Sequence, residues 1–209
     1  MLESTMPSIA KRTARFGMAV ACTALLWTRA GVAQEREAVL EFLPARARIE
    51  FALDASFHVV HGTFDMEHGA IQFDPSSRAI SGEVVVGAAS GHSGNDGRDR
   101  RMHREILESA RYPEIAFRPD RVEGTLEASG VSTVQVHGVF RIHGVERELT
   151  IPVRVEMADD HWTLTSHFVV PYVQWGIKNP SSLLLHVSPS VEVDVQASGL
   201  KPWAVSGSK

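Results

Sequence analysis

The side chains that could do chemistry gather around residues 92–103. His92, Asp96, Asp99 and His103 lie where a Gly/Ser-rich loop (GAASGHSGNDG, residues 87–97) runs into a helical pattern. His103 follows Asp99 by four residues, a bridging distance on a helix. The set could hold a metal ion. The plainer and preferred reading is a solvated, capped helix start, with Asn95 or Asp96 as the cap. Arg98 and Asp99 likewise allow two readings. One is a polar gate, with His103, at the mouth of a binding cavity. The other, preferred, is an ion pair or cap that fixes the helix. The remaining histidines do not combine into a site. His58 and His61 are three apart on a strand and face opposite ways. His137 and His143 share a face but stand ~20 Å apart. The single cysteine, Cys22, sits in an apolar N-terminal run. There is no Gly-x-Ser-x-Gly, no Gly-rich phosphate loop and no His-Glu-x-x-His. No catalytic residue, metal or cofactor is assigned, and the chain reads as a binding protein.

The elements that must position these residues are mostly strands. Ile49, Phe51 and Leu53 alternate with polar or charged residues, as do Val134, Val136, Phe140 and Ile142, then Leu149, Ile151, Val153 and Val155, then Val191, Val193 and Val195. A period of two with one wet face means antiparallel sheet. About eight to ten strands are expected, without repeated βα units. One short amphipathic helix is expected near residues 98–108, with Met102, Ile106 and Leu107 as its apolar patch and Pro113 as the stop. His143-Gly144-Val145 suits a tight hairpin, because Gly tolerates positive φ. The two runs it would join, residues 131–142 and 146–157, are long. Long strands favour one coiled barrel over a short-stranded sandwich. The inward face then collects only apolar residues. It is either a filled core, the favoured reading on the residues alone, or a lumen. A one-residue slip in register would invert any strand.

The chain ends have their own composition. Lys11, Arg12 and Arg15 precede the apolar residues 16–27, a run too short for a membrane span and suited to a signal peptide. Gly31-Val32-Ala33 offers small residues for a cut after Ala33. Segment 1–33 would be removed, residues 34–45 would lead in, and 200–209 would be a flexible tail. The leader carries a net +3, so the remainder of this −4 chain is −7. That charge disfavours nucleic acid and anionic membranes as partners. The remainder holds no cysteine.

Three blocks carry a resemblance. The first is residues 98–117 (RDRRMHREILESARYPEIAF), with its Arg-Asp pair, Met-His step, Ile-Leu step and Tyr-Pro-x-Ile-x-Phe. The second is residues 57–73 (FHVVHGTFDMEHGAIQF), and the third is residues 136–145 (VHGVFRIHGV). Their order and spacing resemble the YceI-like family over residues 46–199. The resemblance implies an exported, lipocalin-like β-barrel that holds a neutral lipid such as a polyisoprenoid, quinone precursor or fatty amide. Relatives with this fold often pair, so a homodimer is one option and the oligomeric state stays open. It turns the inward face into a ligand-binding set: Phe51, Leu53, Phe73, Val84, Val86, Phe117, Val136, Phe140, Ile151, Val153, Trp162, Leu164, Phe168 and Trp175. Trp175 could equally pack outside. Arg98, Asp99 and His103 would stand at the mouth. Two alternatives remain open. One is an enzyme acting on an isoprenoid in the barrel, for which an inward His61 is the candidate. The other is a closed-core structural or partner-binding domain.

Overall fold

A computed structural model describes residues 38–75 and 77–201. The expected leader, residues 1–33, and the last eight residues lie outside the described residues. Among the described residues ten strands follow one another: β1 Ala38–Phe42, β2 Ala47–Ala55, β3 His58–Phe64, β4 Met66–Phe73, β5 Ile80–Gly87, β6 Glu114–Glu123, β7 Gly130–Ile142, β8 Val145–Met157, β9 His161–Val170 and β10 Val191–Leu200. They form one antiparallel sheet in the order β1-β4-β5-β6-β7-β8-β9-β10-β2-β3. Only Asp65 separates β3 from β4, which stand near opposite ends of that order. The chain therefore joins the two ends at this corner, and the sheet curls into a lipocalin-like barrel.

Residues 34–45 are more than the expected lead-in. They contain β1, which pairs with β4 from Ala38↔Phe73 to Phe42↔Gly69. Ala38, Leu40 and Phe42 are buried while Val39 and Glu41 are exposed, the alternation of an edge strand with one wet face. At the other end β10 runs through Leu200, where a tail had been expected to begin.

The β7–β8 hairpin is the longest ladder, paired from Gly130↔Met157 to Ile142↔Val145. His143 and Gly144 form its two-residue loop, both with positive φ (53° and 70°). Such loops match the twist of the flanking strands. A Cβ on Gly144 would also lie 2.5 Å from the Tyr112 ring.

Two joints of the wall are hydrogen-bonded over only part of their length. β5 and β6 pair only between Val84–Gly87 and their partners Phe117–Glu114. β8 and β9 pair only from Val153↔Ser166 to Met157↔Trp162. Pro119 and Pro152 stand close to where each ladder stops, and neither can donate a backbone hydrogen bond. At the second joint the Ser166 hydroxyl donates to the Pro152 carbonyl at 2.7 Å.

Apolar side chains form two clusters. One surrounds Trp162 with Phe42, Phe73, Val134 and Met157 and fills one end of the barrel. The other surrounds Trp175 with Leu107, Phe140, Tyr172 and Ile177 at the opposite end. No described helix is long and apolar enough to cross a membrane.

Candidate functional site: the barrel cavity and its mouth

Between the two clusters lies a cavity of about 650 Å³, within the ~300–1,000 Å³ usual for small-ligand pockets. Its wall is built by alternation. β2 contributes Phe51 and Leu53, β4 Phe73, β5 Val84 and Val86, and β6 Phe117. β7 contributes Val136 and Phe140, β8 Ile151 and Val153, and β9 Leu164 and Phe168. All twelve were singled out from the sequence, and the structure brings them together around one space.

The two expected tryptophans stand behind this wall. Trp162 has the same parity as Leu164 but lies deeper, sealing the floor. It is fully buried, 5.1 Å from the Phe42 ring, and lies flat enough on β10 that a Cβ at Gly199 would come within 2.7 Å of it. Trp175 packs 5.7 Å from Phe140 and supports the wall from outside the cavity.

The expected inward position of His61 is corrected. β2 and β3 are joined by the two-residue loop Ser56-Phe57, so Ala55 faces His58 and Leu53 faces Val60. Paired residues share a face. The inward residues of β3 are therefore His58, Val60 and Phe64, and these line the cavity while His61 is exposed.

The mouth is framed by three elements: the β2–β3 hairpin, a helical segment and residues 171–190. The helical segment is α1, Asp96–Arg101, followed directly by a π-helical turn, Met102–Ile106. It begins two residues earlier than the sequence suggested. Asn95 caps it by accepting a hydrogen bond from the Arg98 amide at 3.0 Å. The Leu107 amide bonds back to the Met102 carbonyl at 2.8 Å, the wider spacing of a π turn. Met102, Ile106 and Leu107 all reach the cavity.

Arg98 and Asp99 clamp Ser93 from two sides. The Arg98 guanidinium donates to the Ser93 hydroxyl and carbonyl, both at 2.7 Å. Asp99 accepts from the Ser93 amide at 3.0 Å and from its hydroxyl, and pairs with His92 at 3.0 Å. Arg98 also lines the cavity opening, whereas Asp99 is buried beneath it. His103 stays out of the cavity and contacts the Gly91 carbonyl at 2.9 Å. His92 and Thr63 exchange backbone hydrogen bonds of 2.8 and 2.9 Å, tying this loop to β3. Among the described residues no group of three His, Cys, Asp or Glu is placed to hold a metal ion.

Burial raises the pKa of Asp99. The hydrogen bonds from Ser93 and the nearby His92 and Arg98 charges outweigh it, so the carboxyl titrates below the ordinary aspartate value. A depressed carboxylate stabilises the fold fully above the unfolded value of ~3.9, and this stabilisation disappears as pH falls through the lower folded value. Asp99→Asn is expected to cost about 2 kcal/mol near neutrality, roughly 4–8 °C in Tm. Melting curves from pH 7 to pH 2 should show the gap between wild type and variant steady above about pH 5 and closing in acid. A gap that widens in acid would contradict this account.

The single curled sheet and its lined interior define a lipocalin-like barrel protein. The chain belongs to the YceI-like family, whose domain matches residues 41–198. Solved structures share the fold at low identity. The chain is similar to BcnA of Burkholderia cenocepacia, with a TM-score of 0.63 at 16% identity, over 76% of this chain and 99% of that one. It is similar to a polyisoprenoid-binding domain from Saccharophagus degradans implicated in plant cell wall breakdown, with a TM-score of 0.58 at 15% identity over 80% and 100%. A YceI protein of Campylobacter jejuni gives 0.53 at 14% identity over 90% and 99%. No curated protein matches the chain in sequence.

Proposed function

We propose that this protein is an exported carrier that sequesters one neutral isoprenoid or fatty-chain lipid in its barrel, without chemistry. The observation that carries the reading is the cavity of about 650 Å³, whose wall through the barrel is apolar apart from Ser166, its hydroxyl bonded to the Pro152 carbonyl, and which meets the polar residues His58, Ser93, Arg98 and Arg101 at the mouth. Such a wall rewards burial of methylene groups at ~0.8 kcal/mol each and offers no counter-charge to an ionised head group deep inside. Family membership and the likeness to a polyisoprenoid-binding domain support the same ligand class. The basic and apolar leader, with its small residues before Gln34, supports export to the periplasm or beyond. His61 is exposed and does not meet the lumen; the histidine that lines the cavity is His58, beside the β2–β3 turn at the mouth.

Native mass spectrometry of Gln34–Lys209 purified without detergent tests the reading. That segment forms one compact unit. The expected result is an added mass that returns as lipid in an organic extract. An apo mass unchanged after incubation with geranylgeraniol and with oleamide would overturn it.

A further inference from the structure

Large apolar side chains at turn tips have nothing to pack against, and turns ordinarily carry Gly, Asn, Asp or Ser there. Two turns beside the mouth break that rule. Phe57, 82% exposed, is at the tip of the β2–β3 hairpin. Leu183 and Leu184, 100% and 85% exposed, are the central residues of a reversal closed by the Ser182 amide donating to the Leu185 carbonyl at 2.8 Å. The two tips are held together. The Ser56 amide donates to the His186 carbonyl at 2.9 Å, the His186 amide donates to the Ser56 hydroxyl at 2.8 Å, and Ala55 bridges Val187. Ala55, His58 and Leu185, next to these tips, line the cavity. The apolar rim is thus continuous with the apolar lumen.

Charge follows the same geometry. The elements framing the mouth carry Arg98, Arg100, Arg101, Arg104 and Lys178 against Asp54, Asp96, Asp99 and Glu105, a net +1 on a chain of −4. Arg101 and Lys178 share one carboxylate, Glu105, at 3.3 and 3.6 Å, which fixes both cations beside the opening. An apolar tip with a cationic fringe matches the interface of a bilayer containing anionic lipid. The acidic surface lies elsewhere, so the overall charge does not decide how this end behaves.

We infer that the mouth docks on a lipid bilayer by inserting Phe57, Leu183 and Leu184 among the head groups, with the neighbouring arginines favouring anionic lipid. This would set the lumen directly over the source or destination of its cargo, and in that respect it rests on the carrier reading.

The test is flotation of Gln34–Lys209 with vesicles of phosphatidylcholine, and of phosphatidylcholine with one-third phosphatidylglycerol. Wild type should float with the vesicles, more strongly with the anionic ones. The triple variant F57S/L183S/L184S should partition at least ten-fold less. These side chains are exposed, so the variant keeps its core, which a melting curve verifies. Wild type remaining in solution with both vesicles, or a folded triple variant floating like wild type, would overturn the inference. Native mass spectrometry on the same samples separates the two proposals. Flotation without any lipid in the barrel would leave docking standing and remove the carrier, and lipid in the barrel without flotation would do the reverse.

Discussion

Val86→Trp and Val193→Trp should each abolish most ligand binding while leaving the barrel as stable as before. Both valines line the cavity and touch both apolar clusters, so they stand at mid-height of the lumen. An indole there occupies space that a chain-like ligand would fill. Displacing three to four buried methylenes costs about 3 kcal/mol, roughly a hundred-fold in affinity. Overpacking destabilises a dense core, but here the added ring projects into a cavity of about 650 Å³ and gains contacts that valine lacks. Titration with geranylgeraniol followed by native mass spectrometry would read the affinity, and thermal melts would read the stability. Unchanged affinity in both variants would place the ligand somewhere other than the lumen.

Trp162→Ala should be among the most damaging single substitutions to stability and nearly silent for ligand affinity. The side chain is fully buried against Phe42 and Gly199 and does not line the cavity. Truncating a buried Trp costs about 3–5 kcal/mol, a large part of the 5–15 kcal/mol typical of a whole domain. The indole N–H is buried and has no hydrogen-bond partner among the described residues. Trp162→Phe removes that unsatisfied donor while keeping a ring in place, so it should recover most of the loss. Denaturant titration of both variants checks the order. Trp162→Ala that is as stable as wild type, or Trp162→Phe no better than Trp162→Ala, would show that the floor is not packed as described.

The wall of the cavity was legible in the sequence because strand parity encodes it. Period-two alternation put Phe51, Val136 and Val153 on one face without any knowledge of the fold. What parity cannot encode is depth along the barrel. Trp162 and Leu164 share a face, yet one seals the floor and the other meets the cavity. Trp175 lies in an irregular segment with no period to read. The error at His61 came from the unassigned length of one turn: with two loop residues, odd positions on β2 face even positions on β3, which turns His61 outward. β1 carries a clean alternation, but its five residues are held by pairing with β4, a partner three strands later. The Arg98 and Asp99 clamp was legible as capping chemistry. Its target, Ser93, was not, because side chain-to-loop bonds have no sequence period.

The two partly paired joints give the wall a mechanical character. β6, β7 and β8 form a panel bounded by Pro119 on one side and Pro152 on the other. The β5–β6 joint is bonded near Ile115, in the mouth cluster, and open near Ile80 and Val122, in the floor cluster. The β8–β9 joint is bonded near Trp162, at the floor, and open near Leu149 and Phe168, toward the mouth. A panel fastened at diagonally opposite corners resists being pulled away but rocks with little loss of bonding. Rocking of such a panel would change the girth of the barrel at both ends, so a carrier of the kind proposed would grade its cargo by thickness rather than by a single rigid volume.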